Sequence, residues 1–238
     1  TLFDGVRIEG QQWGDEHGIE IDQYGVDRVA VLRGAASLLY GSDALGGVIN
    51  LLEPLTAPEG QIRGEVLSNY STNNGLSANS LMLTGNESGF VWRTRASLKN
   101  AYSFKTPTGY FPNSGFNETN INGMLGFNKQ WGYSHLSLSY FKNNIGFYEP
   151  ALSSTGKFIN DNGDTFTDAE FKSRTLEFPK QDIRHYKIGW DNNFILNKGY
   201  LKLNIGYQKN QRRELTGPDP SLFFDLNTYS TDLKYYMT

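Results

Sequence analysis

The chain has 238 residues, a net charge of -3, 20% charged and 14% aromatic residues. That length admits one large β domain or two smaller ones, and the slight acidity excludes a nucleic-acid partner drawn by bulk charge. The absence of cysteine excludes disulfide scaffolds, thiol catalysis and cysteine-based zinc sites. Many aromatics with a low mean hydropathy suit either a soluble β-protein or a membrane barrel, in which only every second strand residue meets lipid. No apolar run approaches the roughly 20 residues that a transmembrane helix requires. The chain opens on Thr1-Leu2-Phe3-Asp4 without the basic start and apolar run of a signal peptide, and it stops within Asp232–Thr238, which reads as mid-strand. The expectation is a piece of a longer exported protein.

Residues 1 to about 57 hold short apolar stretches, Val6-Arg7-Ile8, Val29-Ala30-Val31-Leu32 and Gly47-Val48-Ile49-Asn50-Leu51-Leu52, separated by Gly-rich turns. A short helix is expected over Ala35–Tyr40, and Pro54–Gly60 reads as a linker. From Gln61 the pattern becomes long alternating strands. Two weaker ones come first, at about 62–71 and 76–85. Then Phe90, Trp92, Thr94, Ala96 and Leu98 share one face against Arg93, Arg95, Ser97 and Lys99. The same alternation recurs over 120–128, 135–140, 186–194, 201–208 and 229–235.

The connections alternate in length. Asn86-Glu87-Ser88-Gly89, Gln130-Trp131-Gly132 and Asn197-Lys198-Gly199 are short, whereas the links at about 101–118, 144–182 and 212–224 are expected to be long. Thr72-Asn73-Asn74-Gly75 is short where a long loop is due. Short turns on one side and long loops on the other characterise outer-membrane barrels, with the short turns periplasmic. Phe90, Trp92, Phe127, Trp131 and Phe194 cluster by the short turns on the apolar phase, as an interfacial girdle requires. Arg93 and Arg95 on the lipid side would cost about 2–4 kcal/mol each near the midplane, so the polar phase faces the lumen. A soluble sandwich also alternates, but these strands exceed the usual length of about 5–6 residues in globular sheets.

One stretch carries a specific motif: Val29-Ala30-Val31-Leu32-Arg33-Gly34-Ala35, a short helical segment ending in Tyr40-Gly41, then Ala44-Leu45-Gly46-Gly47-Val48-Ile49-Asn50. It closely resembles the C-terminal plug signature of TonB-dependent outer-membrane receptors, in order and spacing. Ala35 stands where the family commonly has proline, which leaves the helix start intact but removes a preferred first-turn residue. The resemblance implies a mainly β fold: residues 1–57 as the C-terminal part of a plug, a small α+β unit, and 58–238 as the N-terminal part of a transmembrane β-barrel, about eight antiparallel strands of 22. Signature residues Arg33, Gly34, Tyr40, Gly41, Gly46, Gly47 and Asn50 then have a structural role. The glycines allow tight turns and close backbone approach, and Arg33 inside a barrel calls for a carboxylate such as Glu65.

The resemblance further implies import of a scarce nutrient across the outer membrane of a Gram-negative bacterium, energised by the TonB complex through a segment outside this sequence. An iron complex, siderophore or haem, is the first expectation. Cobalamin or another metal complex, or a non-transporting surface receptor or adhesin, are the alternatives. Expected surroundings are the small-molecule ligand and outer-membrane lipid, with no nucleic acid and no resident cofactor. In the apical loop after Val6-Arg7-Ile8, ligand contact is expected from Gln11, Gln12, Trp13, Asp15, Glu16 and His17. Trp13 offers a ring for stacking, and His17 offers an iron ligand or, with Asp15 and Glu16, a divalent-metal set. Whether any metal binds is left open. Asn160–Asp168 resembles a calcium loop, but Gly163 falls out of the EF-hand register and a solvated turn is expected. Tyr110, Phe111, Phe147, Tyr148, Phe158 and Phe166 in the long links are expected either to form an aromatic funnel or to pack the loops together. No nucleophile elbow, phosphate loop or metalloprotease helix occurs, so no enzyme is expected.

Overall fold

The computed structural model describes residues 1–3, 6–8, 20–34, 37, 40, 44–147, 151–160 and 162–237. Two sheets dominate. The first has four short strands, β1 (Leu2–Phe3), β2 (Val6–Arg7), β3 (Arg28–Leu32) and β4 (Val48–Leu52), in the order β2-β1-β4-β3. β1 runs parallel to β4, with Leu2 opposite Asn50, while β2 and β3 are antiparallel to their neighbours. Leu2, Ala44 and Val48 form its core, with Leu32 and Tyr40 packed against them. Gly47 enters β4 at φ +117°, and a Cβ there would lie 2.8 Å from the Leu32 carbonyl oxygen. Gly34 has φ +73°. Gly46, expected to serve the same purpose, has open space around it. The helix expected over 35–40, like Gly41, falls largely outside the described residues.

After Leu52 the chain passes through residues 53–60, which form no helix or strand, to the second sheet. Its strands are β5 (Gln61–Ser71), β6 (Leu76–Glu87) and β7 (Phe90–Ala101), then β10 (Phe116–Lys129), β11 (Gly132–Gly146), β14 (Lys180–Leu196), β15 (Gly199–Leu215) and β16 (Pro220–Met237). The intervening links carry β8 (Lys105–Thr106) with β9 (Gly109–Tyr110), and β12 (Ala151–Leu152) with β13 (Phe158–Ile159), each a two-residue pair, and one helical turn, α1 (Asp168–Phe171). The eight long strands pair only with their sequence neighbours, all antiparallel, with β5 and β16 at the edges. Every expected long strand is present, and most reach further than the alternation marked. β15 and β16 extend so far that only residues 216–219 separate them. The link expected to be long at 212–224 is therefore a tight turn: Arg212 and Arg213 read as loop but pair with Phe224 and Phe223.

The facing follows the energetic expectation. Arg93, Arg95, Ser97 and Lys99 are buried on the inner face, while Leu98, Ile121, Leu125, Leu138, Ile188 and Leu233 are exposed on the outer one. At the short-turn end the outer face carries ring pairs, Phe90 with Phe127 at 5.4 Å and Trp131 with Phe194 at 5.7 Å. No helix among the described residues is long and apolar enough to cross a membrane. Strands with an apolar outer face and aromatic ends can cross one.

Candidate functional site

The small sheet and its flanking segments lie against the inner face of the long sheet, and three carboxylates join them. Glu20 and Asp22 belong to the segment before β3, and Glu53 follows β4. Alternation supplies the opposing groups: inner-face positions of β7 carry Arg93, Arg95 and Lys99, while β14 and β15 carry His185 and Arg212.

Glu20 is 2% exposed. One carboxylate oxygen lies 2.9 Å from His185 Nδ1 and also accepts from Asn210 Nδ2; the other lies 3.1 Å from Arg212 Nη2. His185 Nε2 lies 3.2 Å from Gln208 Oε1, and Gln208 Nε2 donates to the Arg7 carbonyl at 2.6 Å, linking the cluster back to β2. Arg212 Nε and Nη1 are buried and find no acceptor among the described residues.

Asp22 makes a second cluster. Its carboxylate accepts from Ser97 Oγ at 2.6 Å, stands 3.3 Å from Lys99 Nζ, and caps a single 3₁₀ turn (Gln23–Gly25) by accepting from the Tyr24 amide at 3.1 Å. Lys99 Nζ is shared with Glu118 of β10 at 2.7 Å and sits 5.2 Å from the Tyr24 ring centroid. A third contact joins Arg93 to Glu53 and to the Pro54 carbonyl. Burying such charges is costly, and the opposed partner in each contact offsets part of that cost, most completely at Asp22, where Ser97, Lys99 and the Tyr24 amide all meet the carboxylate. The result is a docking surface that is polar and specific, unlike an apolar core, and whose contacts water can replace one by one.

Between the two sheets lies a cavity of about 710 Å³, bounded by Phe3, Val6, Tyr40 and Asn50 on one side and by Lys187, Asn204 and Lys234 on the wall. Lys234 Nζ lies 5.0 Å from the Tyr40 ring and Lys187 Nζ lies 4.4 Å from the Phe3 ring.

The expected apical-loop contacts Gln11, Gln12, Trp13, Asp15, Glu16 and His17 lie outside the described residues. Among the described residues, no group of three metal-ligating side chains occurs. Arg33 is exposed, and the carboxylate expected for it, Glu65, is taken by Arg95 at 2.8 Å. Arg95 projects from the strand that pairs with β6, two strands from Glu65, so it reaches that carboxylate along the wall itself. The aromatics of the long links pack on one another: Phe104 with Phe111 and Tyr110 with Phe171 stack, and Phe158 meets Phe111 edge-on. Lys105 and Lys172 lie within 6 Å of the Tyr110 ring. In the Asn160 turn, Asn160 Oδ1 accepts from the amides of Asn162 and Asp164, as a solvated turn would have it.

Sequence reasoning missed Glu20, Asp22, His185 and Arg212 as a set. His185 and Arg212 sit on the inner phase just beyond where the alternation was marked, and extending that phase outward would have found them.

Residues 1–48 match the family model described as the TonB-dependent Receptor Plug Domain. Over 49 residues the chain is 51% identical to the hemin receptor of Yersinia pestis, covering 21% of this chain and 7% of that protein. Over 137 residues it is 30% identical to the vitamin B12 transporter BtuB of Vibrio cholerae serotype O1, covering 57% of this chain and 21% of the relative. A solved structure of the ferric enterobactin receptor PfeA from Pseudomonas aeruginosa shares the fold at a TM-score of 0.65 and 17% identity, over 98% of this chain and 37% of that one. The chain thus matches about a fifth or less of the length of these curated relatives. They are receptors and transporters, not enzymes.

Proposed function

We propose that this chain, which is part of a TonB-dependent receptor, serves the import of an iron complex, a siderophore chelate or haem, across the outer membrane of a Gram-negative bacterium. We assign residues 1–57 to the plug and 58–238 to the barrel wall, a division supported by the gap between β4 and β5. The observation that carries the reading is the set of plug carboxylates, Glu20, Asp22 and Glu53, seated on the wall cations Arg212, Lys99 and Arg93. An importer needs a plug that fills the lumen and is nevertheless able to rearrange. Discrete ionic contacts meet both needs, because each holds strongly when dry and is replaced by hydration when separated. Force on the plug through TonB would act against these contacts, and the apical loop, joined directly to Glu20, would carry ligand occupancy to them. The outer loops favour an iron chelate as cargo: aromatic rings flanked by Lys105, Lys172 and Arg174 suit a planar or aromatic anion.

The test is growth-linked uptake by the intact receptor, in a strain lacking its own copy, on ferric siderophores, haem or cobalamin as sole source. TonB-dependent growth on a siderophore or on haem is the expected result. Growth on cobalamin alone would replace the cargo and keep the transport. No growth on any of them, with the receptor present in the outer membrane, would favour a surface receptor that does not transport.

A further inference from the structure

The inner-phase positions of β15 meet the small sheet one after another. A Cβ at Gly206 would lie 3.2 Å from Val6 Cγ1, so a glycine there lets β2 come close to the wall. Gln208 Nε2 donates to the Arg7 carbonyl at 2.6 Å. Asn210 and Arg212 then donate to the two oxygens of Glu20. One strand therefore holds the chain on both sides of residues 9–19, at Val6 and Arg7 before them and at Glu20 after them. The ligand contacts expected from the sequence, Gln11 to His17, fall between these two anchors in the chain.

His185 of β14, with no exposed surface, joins the anchors to each other. Its Nε2 lies 3.2 Å from Gln208 Oε1, and its Nδ1 lies 2.9 Å from a Glu20 oxygen. Chemistry fixes the direction of each bond. A carbonyl only accepts, so the Gln208 amide nitrogen must face Arg7 and its oxygen must face His185. That oxygen requires a proton on Nε2. A neutral imidazole carries a single ring proton, so Nδ1 would then set a bare lone pair against a carboxylate oxygen. Two acceptors repel at that distance unless a proton lies between them. Both carboxylate oxygens already face donors, Asn210 and Arg212, as suits the acceptor-only ionised form, and the proton therefore belongs on Nδ1. Among the described residues the charged groups of this cluster are Glu20 and Arg212; the residues opposite His185 in the sheet, Phe141 and Asn210, carry no charge.

We propose that His185, protonated on both ring nitrogens, and Gln208 are positioning residues that clamp the two ends of the 9–19 segment at one spacing and so preset it for the imported nutrient. A segment already held in place loses less freedom on binding. The proposal rests on the plug-and-wall reading above.

A conservative variant separates this clamp from ordinary packing. In Glu20→Gln the new amide nitrogen donates to a bare Nδ1 while its oxygen accepts from Arg212. Asn210, whose Oδ1 is buried without a partner, accepts from the same nitrogen once its own amide turns over. The clamp should survive without the extra proton. Gln208→Leu, in contrast, cuts the link to His185 and to Arg7 together.

The test uses the intact receptor, its assembly checked by heat-modifiable mobility. Nitrogen-15 NMR of histidine-labelled receptor reads the His185 ring, identified by the signals lost in His185→Gln. Wild type is expected to show both ring nitrogens protonated, and Glu20→Gln to show Nδ1 bare. Spin labels at Arg7→Cys and Gln23→Cys, in a chain without cysteine, report the spacing of the two ends. One narrow distance is expected in wild type and in Glu20→Gln, and a broadened one in Gln208→Leu. With ferric siderophore or haem, whichever supports growth, Gln208→Leu should raise the half-saturating concentration severalfold and keep the maximal rate. A bare Nδ1 in wild type, or an equally narrow distance in Gln208→Leu, would overturn the clamp. A broadened distance with an unchanged half-saturating concentration would overturn its role in presenting the segment to the nutrient. Uptake of neither nutrient would sink the import reading, and the nitrogen signals and distances would still decide the clamp.

Discussion

Glu20 of the plug and His185 of the wall stand 2.9 Å apart, and neither has more than a trace of its surface in contact with solvent. Glu20 is the first described residue after 9–19, and His185 lies in an inner-face row that also holds Gln181 and Ile183. The contact joins the segment before β3 to the long sheet through one carboxylate, with Arg212 and Asn210 as its other partners. Truncating that carboxylate leaves a buried guanidinium uncompensated, a loss of about 3–5 kcal/mol for a buried pair broken on one side. Glu20→Ala should therefore loosen the plug in the intact receptor, read as faster protease cleavage of plug segments and as larger pore conductance in planar bilayers. In the double variant with Arg212→Ala the two effects should add to less than their sum, because each removes the same interaction. Full additivity would separate the two residues energetically.

Asp22 performs two tasks that substitution can divide. Its carboxylate faces Lys99 and accepts from Ser97, and it also caps the turn that leads into β3. Asp22→Asn keeps one acceptor oxygen, enough for the Tyr24 amide, but gives up the charge and turns an NH2 group toward Ser97, while Lys99 retains Glu118. Asp22→Ala gives up everything. The expected order of plug stability in denaturant is wild type, then Asn, then Ala, with the last step about 1 kcal/mol or more from the lost cap and hydrogen bond. Equal effects of Asn and Ala would mean that charge alone matters here.

The wall was legible in the sequence because strand phase is a local property: Phe90 to Leu98 on one side and Arg93 to Lys99 on the other already state which face meets water. Strand ends were less legible. At the loop end of β15 the outward residues Lys209, Gln211 and Arg213 are polar, so alternation fades where the strand leaves the hydrocarbon, and a paired segment reads as loop. The plug motif was legible as a motif, but the partners of its charges were not. Arg33 and Glu65 are both plausible by composition, and only the register of β5 with β6 and β7 gives Glu65 to Arg95. Contacts between Glu20 and residues some 165 and 190 positions later depend on how the plug is set in the wall, which no local pattern encodes.

The two faces of β7 give a paired test. Leu98→Arg puts a cation on the lipid-facing side, eight residues from Phe90 and so toward the loop-end edge of the apolar band. The cost there falls below the midplane value of about 2–4 kcal/mol, and the substitution should still lower the yield of assembled receptor. Arg93→Leu faces the lumen and should leave assembly near the wild-type level while loosening the plug at Glu53, whose partner is removed. Heat-modifiable mobility reads assembly, and plug proteolysis reads docking. Comparable assembly defects would reverse the assigned facing.

Glycine is required at Gly47 and not at its neighbour. A side chain at Gly47 meets the Leu32 carbonyl in a backbone conformation that L-residues rarely adopt, so Gly47→Ala should destabilise the plug by about 1–3 kcal/mol. Gly46→Ala, with open space around it, should fall within about 0.5 kcal/mol of wild type. A shift in plug unfolding midpoint for the first substitution and none for the second is the expected pattern. No shift for Gly47→Ala would show that the β3–β4 approach tolerates a Cβ.

The loop turn α1 provides a pH response outside the membrane. Thr167 and Glu170 form a reciprocal cap: the Glu170 carboxylate accepts from the Thr167 amide at 2.6 Å and from its hydroxyl at 2.7 Å. The backbone hydrogen bond from Thr167 foremost, and the hydroxyl bond after it, hold the Glu170 pKa below its ordinary value. A depressed carboxylate pKa means that the folded turn favours the ionised form. Its contribution to local order is thus complete at neutral pH and is lost as pH falls through that depressed value. Amide exchange at Glu170 and Phe171, normalised for intrinsic rates, should accelerate in acid below the usual glutamate range. In Thr167→Ala the hydroxyl donor is gone, so the Glu170 titration followed by NMR should move back up toward the ordinary value and the loss of protection should begin at higher pH. A Glu170 titration unchanged by that substitution would remove the Thr167 hydroxyl as a cause and leave the backbone amide as the group that orders the turn.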